Sequence, residues 1–318
     1  MRSLRKIGKW LMRGTAISLI SLLILEVAYR YQWVDFYRSE WTFQNEDVPD
    51  KAERILIFGD SFSADPESWV GMMRDSFPKI SVFNASMPGI GPETHVLLFS
   101  RRVAQVKPNH IIVQLYVGND LLDIEKPVNW SKHGFFRNLY WSLSNDFQVL
   151  SFINYRLGQA SPEDNVKVDP KVTSEFDPDT YSPRTRLYIH GDPNYPSSSI
   201  RIAKGDQRMT ELCTHLQWMK KNTPASCTFT VVLIPHCTQV DVGTIVNYRR
   251  LGAKISLDIL GENPWKPFLK SFRVVDPLKE FVAAQKTGTD IYFANDPHLS
   301  QAGNKVLMHT VAQQLFRQ

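Results

Sequence analysis

Between residues 54 and 316, short apolar runs alternate with longer segments in which apolar positions recur every three or four residues. The runs, at 54–58, 80–84, 110–115, 228–234 and 272–275, are dominated by consecutive Val, Ile, Leu and Phe, the pattern of strands buried on both faces rather than on one. The periodic segments, at 67–77, 92–106, 206–222, 240–257, 277–285 and 300–316, predict helices between them. Doubly buried strands joined by helical crossovers make a parallel sheet, so the pattern predicts an α/β fold, a three-layer α/β/α sandwich.

The N-terminal pattern differs. Residues 14–25 are small or apolar and uncharged, and with their flanks the run extends over 10–31. Those 22 residues as a helix cover about 33 Å, against a hydrocarbon core of about 30 Å. Trp10, Tyr29, Tyr31 and Trp33 stand where interfacial anchors belong, and Glu26 and Arg30 are spaced to meet on one helix face. A transmembrane signal-anchor is the expectation. A cleaved signal peptide and a buried amphipathic helix are the alternatives, and the stretch after the run offers no small-x-small cleavage site.

Charge changes the picture only once it is located. The chain of 318 residues carries 37 Lys and Arg against 32 Asp and Glu. Five cations, Arg2, Arg5, Lys6, Lys9 and Arg13, precede the apolar run without an acid among them; without them 32 basic residues face 32 acidic ones. The basic balance belongs to a short flank, which removes the main support for nucleic-acid binding and predicts an inside N-terminus with the remaining chain outside the cytoplasm, on the periplasmic or cell-surface side. The expected organisation is a basic flank and anchor over 1–31, a linker over 32–53 and a catalytic domain over 54–318 with an insertion at about 124–204.

That insertion breaks the strand–helix rhythm with aromatic residues (Trp130, Phe135, Phe136, Tyr140, Trp141) followed by a Pro-, Asp- and Ser-rich stretch. A lid or substrate platform and a small satellite core or membrane contact both fit. Cys213, Cys227 and Cys237 are too few for a disulfide framework. Cys213 with His215, and His236 with Cys237, are conceivable metal ligands, but Cys213 lies on a predicted helix face and Cys227 opens a strand, so a structural role is the expectation and no metal or cofactor is expected.

Candidate chemistry begins at Gly59-Asp60-Ser61-Phe62, directly behind the first strand-like run. A serine there sits at a strand's C-terminal end, where open parallel sheets put reacting groups. Three more segments follow in order: Asn84-Ala85-Ser86-Met87-Pro88-Gly89, Gly118-Asn119-Asp120 and Asp296-Pro297-His298-Leu299-Ser300. In these four blocks the chain resembles the SGNH (GDSL-like) hydrolase family, whose four name-giving residues match Ser61, Gly89, Asn119 and His298. The resemblance implies five strands in the order 2-1-3-4-5, Ser61 as nucleophile, His298 as base, and the Ser61 and Gly89 N–H groups with the Asn119 amide as oxyanion donors. It departs in one place: many members separate the acid and the His by two residues, whereas here only Pro297 lies between Asp296 and His298, and Asn295 holds the usual position of the acid. Asp296 is the expected orienting acid. Asp60 is expected to fix the turn, Asn84 and Asp120 to cap turns or support the site, and His236 and Gln239 to line the cleft.

The function that follows is a membrane-anchored, extracytoplasmic serine esterase or O-acyl (acetyl) transferase working through an acyl-serine on cell-envelope carbohydrate. A transferase needs an acyl donor, for which a separate multi-span membrane protein is the expected partner. A lipase or lysophospholipase acting on membrane lipid, and a noncatalytic SGNH-fold scaffold binding glycan or an assembly partner, are the alternatives.

Overall fold

The computed structural model describes residues 2–124, 139, 143–144, 147–159, 171 and 173–316. The aromatic residues Trp130, Phe135, Phe136, Tyr140 and Trp141 fall outside them. The chain divides into two compact units, Met1–Glu40 with His133–Ser161, and Trp41–Lys132 with Pro162–Gln318.

The second unit holds a five-stranded sheet: β1 (Glu53–Phe58), β2 (Ile80–Asn84), β3 (His110–Tyr116), β4 (Thr228–Ile234) and β5 (Arg273–Val275). Every pairing is parallel and the order is β2-β1-β3-β4-β5, as the resemblance implied. The five strand-like runs match the observed strands to within one residue at either end, because continuous β-branched and aliphatic runs have no other way to bury both faces.

Alternate strand residues face opposite layers. Ile55, Ile57, Ile112, Val232 and Ile234 share a core with Trp69 and Met73 of α4 (Trp69–Ser76), Phe281 of α12 (Leu278–Lys286), and Leu307 and Val311 of α13 (Gln301–Phe316). On the other face Phe58 stacks on Phe99 of α5 (Pro92–Val106), whose ring meets Trp218 of α10 (Gln207–Lys221). The result is the three-layer sandwich.

Several helices were not legible in the pattern. Within 32–53, read from composition as a linker, α2 (Arg38–Asn45) forms. Asn45 exchanges hydrogen bonds with the main chain of Asn84 at 2.7 and 2.8 Å, and Gln44 Nε2 donates to the Ala64 carbonyl at 2.6 Å. α3 (Ser61–Ala64) and α6 (Asp120–Ile124) are single turns at the ends of β1 and β3. In the later part of the expected insertion, α8 (Pro183–Gly191) and α9 (Tyr195–Ile200) carry Ile189 and Tyr195 into a satellite core with Tyr181, Leu122, Cys237, Tyr248 and Ala253. The helix expected over 240–257 is shorter: α11 runs Val242–Arg250 and stops before Gly252, whose φ of +99° no helix continues.

In the first unit α1 runs Arg2–Arg30, and its segment Ile7–Arg30 is long and apolar enough to cross a membrane. Glu26, buried within that segment, pairs with Arg30 at 2.6 Å and accepts the Val149 N–H of α7 (Gln148–Gln159) at 2.9 Å. Tyr29, Phe36, Tyr37, Phe152 and Tyr155 stack around this contact, with successive centroids 4.5 to 6.4 Å apart.

Candidate active site

β1 ends at Phe58, and Gly59 follows because nothing larger fits: a Cβ there would stand 2.4 Å from Gln114 Oε1 and 2.9 Å from Ser63 Oγ. Asp60 then caps α3, its Oδ1 accepting the Phe62 N–H at 2.9 Å, so Ser61 becomes the first residue of that turn. Beneath it lies a buried polar knot. Gln114 Oε1 accepts the Asp60 N–H at 3.1 Å and the Ser63 hydroxyl at 2.9 Å, Trp69 Nε1–H donates to Ser63 Oγ at 3.0 Å, and His95 Nε2–H donates to the Gly59 carbonyl at 3.1 Å. Burial holds His95 down to about 4, so it serves as a neutral donor.

The second half of the site is the turn before α13. His298 Nε2 lies 2.8 Å from Ser61 Oγ. Asp296 Oδ1 accepts both the His298 main-chain N–H, at 2.8 Å, and the Nδ1–H of the ring. A carboxylate can only accept here, which fixes the proton on Nδ1 and leaves Nε2 as acceptor for the serine hydroxyl. Burial works to raise the Asp296 carboxyl, but the charge of His298, its two hydrogen bonds and the Lys171 ammonium together hold it below the usual carboxylate range. The Phe62 ring, centroid 4.7 Å away, backs the imidazole.

Asn295, the alternative beside Asp296, turns elsewhere. Fully buried, it accepts the Asp177 N–H at 2.7 Å and donates to Thr173 Oγ1 and the Glu175 carbonyl at 2.6 and 2.7 Å. It ties the 173–177 loop to the His298 turn, while Asp296 touches the imidazole.

The remaining expected residues separate by what they contact. Gly89 adopts φ +73°, in the region that favours glycine, in the loop after β2. Asn119 follows β3, its amide Nδ2 donating to Asp123 Oδ2 at 3.2 Å, and Asp123 packs against Gly91 so closely that a Cβ there would meet it at 2.8 Å. The loops carrying Gly89 and Asn119 are thereby joined on either side of the β1 terminus. Asn84 is a structural clasp, donating to the Ser63 carbonyl at 2.7 Å and accepting the Ser86 N–H at 3.0 Å. Asp120 accepts the Tyr116 N–H at 2.8 Å.

His236 and Gln239 correct the expectation of cleft lining. Both are fully buried and form a capping box after β4: the His236 N–H donates to Gln239 Oε1 at 2.7 Å, His236 Nδ1 pairs with Thr238 Oγ1 at 2.7 Å, and Gln239 Nε2 reaches the Glu262 carbonyl at 2.6 Å. Cys237 beside them is buried, and that burial pushes its thiol up to about 12, which disfavours the thiolate that a nucleophile needs.

A cavity of about 340 Å³ opens over Ser61 and His298, walled by Phe62, Asp65, Lys171 and Phe293. Lys171 Nζ stands 3.6 Å from Asp65 Oδ2 and 5.8 Å from the Phe293 ring centre. Lys171, Phe293, Gln114 and Asn304 are the site residues sequence reasoning missed; only Gln114, a lone amide in the apolar run of β3, carried a signal. Among the described residues, Glu93, Glu211 and His215 on α5 and α10 bring ligating atoms within 4.8 Å of one another, an arrangement of half-exposed carboxylates that is common without an ion.

No family model matches this sequence, and no curated protein matches it. Solved structures similar to it include a lipolytic G-D-S-L family protein from Veillonella parvula at 12% identity, covering 84% of this chain and all of that one with a TM-score of 0.42. Another is an acetyl xylan esterase at 10% identity, covering 83% of this chain and 100% of that one with a TM-score of 0.43. A third is a catalytic mutant of an acetylxylan esterase from Geobacillus stearothermophilus at 12% identity, covering 84% and 96% with a TM-score of 0.41. These are distant likenesses of fold.

Proposed function

We propose that the chain is a serine esterase working through an acyl-Ser61 intermediate. One observation carries this reading: the unbroken hydrogen-bonded line from Ser61 Oγ to His298 Nε2 and from His298 Nδ1 to Asp296. His298 takes the serine proton as Oγ attacks the ester carbonyl, and Asp296 stabilises the imidazolium that forms. The Ser61 and Gly89 N–H groups and the Asn119 amide receive the oxyanion. His298 then protonates the departing alcohol, and water, activated by the same ring, releases the acid. The cavity favours a short acyl group on a polar alcohol, because Asp65, Glu67 and Lys171 line it beside Phe62 and Phe293.

In this reading α1 anchors the enzyme with its catalytic domain outside the cytoplasm, and the substrate is an acylated cell-envelope carbohydrate. The cation cluster preceding the apolar segment supports the orientation. Transfer to a sugar hydroxyl instead of water uses the same intermediate, with the donor presented by a multi-span membrane protein.

Incubation with p-nitrophenyl acetate tests the chemistry. Acetylation of Ser61 by peptide mass, and its loss with turnover in a folded Ser61→Ala variant, are expected; undiminished turnover in that variant removes Ser61 as the nucleophile.

A further inference from the structure

A second cavity, of about 400 Å³, adjoins the one over Ser61 within the same unit. Three pieces of chain wall it: the 173–177 loop, the part of α11 around Thr244 and Asn247, and residues 292–294, which lead directly into Asn295, Asp296 and His298. Asn295 locks the first of these to the third through Thr173 Oγ1 at 2.6 Å and the Glu175 carbonyl at 2.7 Å, and Tyr292 bridges to Leu299 on the far side of His298. The cavity is thereby held in register with the His298 turn. Lys171 and Phe293 line both cavities, so the two meet at that pair of side chains.

The lining suits hydroxyl groups. Asp241, Asp290, Asn247 and Gln285 supply acceptors and donors beside the rings of Phe176 and Phe293. A sugar hydroxyl both donates and accepts, and the C–H face of a pyranose packs on an aromatic ring, so amides, carboxylates and rings in one cavity complement both of its surfaces. Asp241 and Gln285 are held in place by the chain: Asp241 Oδ2 accepts the Thr244 N–H at 2.8 Å, and Gln285 Oε1 accepts the Ile291 N–H at 3.1 Å. The half-buried Asn247 amide has no hydrogen-bond partner among the described residues. A volume of about 400 Å³ falls within the range of about 300–1,000 Å³ for small-molecule sites.

Charge narrows the ligand. Lys171 is the cation common to both linings, against Asp65 and Glu67 in the first cavity and Asp241 and Asp290 in the second. Asp65, 3.6 Å from Lys171 Nζ, already neutralises it. A carboxylate or phosphate brought into either cavity meets like charge, which costs affinity; an uncharged polyol does not. We propose that the second cavity is a carbohydrate subsite: when an O-acylated sugar presents its ester to Ser61, a further, unacylated pyranose of the same uncharged chain sits against Asn247 and Phe293. The inference rests on the esterase reading of Ser61 and narrows its substrate to neutral oligo- or polysaccharide, excluding uronic-acid chains and phosphate-bearing lipids.

The test uses the full chain in detergent micelles and neutral sugars of the gluco, manno, galacto and xylo series, each as a mono- and a trisaccharide carrying a single O-acetyl group, beside p-nitrophenyl acetate and a singly O-acetylated trigalacturonate. In at least one neutral series the trisaccharide should show kcat/KM about tenfold above the monosaccharide, the gain from a few added hydrogen bonds, and trigalacturonate should be a poorer substrate than that trisaccharide. Asn247→Ala should lower kcat/KM for the trisaccharide about five- to tenfold more than for p-nitrophenyl acetate, and Asn247→Trp, which fills the cavity, should erase the gain with chain length. No gain in any neutral series, a gain that survives Asn247→Trp, or an equal loss on both substrates in Asn247→Ala overturns the subsite; acetyl-Ser61 forming from p-nitrophenyl acetate would then leave the esterase reading standing. A faster reaction with trigalacturonate overturns the restriction to uncharged chains. Absence of acetyl-Ser61 removes the esterase reading and the inference with it.

Discussion

Ser61 Oγ and His298 Nε2 meet at 2.8 Å from positions 237 residues apart, and a single amide braces both halves of the pair. Asn304 of α13 accepts the Trp69 N–H at 3.0 Å, and its Nδ2 donates to the Leu299 and Ser300 carbonyls at 3.2 and 3.0 Å. Trp69 in turn reaches the Ser63 hydroxyl two residues beyond Ser61. The serine turn and the histidine turn thus share one buried support.

Asn304→Ala should therefore lower kcat for a simple acetyl ester by about ten- to a hundredfold, the scale of loss for a displacement of order 1 Å between reacting groups, with KM little changed. Asn304→Asp keeps the acceptor for Trp69 and loses the two donors, so it should fall between. Steady-state kinetics on folded protein decide it; wild-type kcat in Asn304→Ala means the turns hold their positions without this brace.

In the proposed mechanism Asp296 and Asn295 have separable tasks, one at the imidazole and one in the scaffold. Asp296→Asn should cost about four orders of magnitude in turnover, as when a triad acid is replaced by its amide and the imidazole takes the wrong tautomer, with little loss of stability. Asn295→Ala strands the Asp177 N–H and the Glu175 carbonyl that it now satisfies, at about 1–3 kcal/mol for each group left buried and unpaired. It should lower the melting temperature while the folded fraction keeps most of its turnover. The reverse pattern would assign the orienting role to Asn295.

How far these residues were visible beforehand follows from the range of the forces involved. Ser61, His298 and Asp296 sit in short segments behind a strand or before a helix, where local pattern speaks clearly. Two residues of spacing sufficed for Asp296 because one of its oxygens takes both the main-chain and the ring N–H of His298. The task of Asn295 was hidden, since its partners lie 118 to 122 residues away. His236 and Gln239 looked like cleft residues for being polar after a strand, yet polar side chains there also cap, and burial decided between the two. α2, α8 and α9 escaped because short helices hold by tertiary contacts, such as Asn45 on Asn84 and Tyr195 in the satellite core, rather than by a repeating apolar stripe.

Gly59→Ala tests the polar knot under Ser61. The added methyl would lie 2.4 Å from Gln114 Oε1 and 3.0 Å from Ser86 Oγ, so Gln114 must withdraw from the Asp60 N–H or the strand end must shift. Overpacking of this kind costs about 1–3 kcal/mol, and turnover should fall as Ser61 moves. Denaturant unfolding beside kinetics checks both; unchanged values in the two would mean the knot yields freely.

Asp60 gives the protein a dependence of stability on pH. Burial pushes its carboxyl from 3.8 up to about 6, against the hydrogen bond from Phe62 N–H and the charge of His298. A raised acid binds its proton more tightly in the folded chain than in the unfolded one, so its contribution is fully present below the unfolded value and lost as pH rises through about 6. Asp296, held below its ordinary value, acts oppositely and in a lower window, losing its contribution only as pH falls below the usual carboxylate range. At about 1.4 kcal/mol per unit, Asp60 accounts for up to about 3 kcal/mol between pH 4 and 7. Asp60→Asn cannot ionise and still offers an oxygen to Phe62. Relative to wild type it should be close to neutral near pH 4 and increasingly stabilised from pH 5 to 7, by about 2–4 °C of melting temperature for each kcal/mol in a domain of this size. Melting curves at half-unit pH steps measure the difference; parallel curves for the two proteins across that range would mean that Asp60 is ionised in the folded chain throughout.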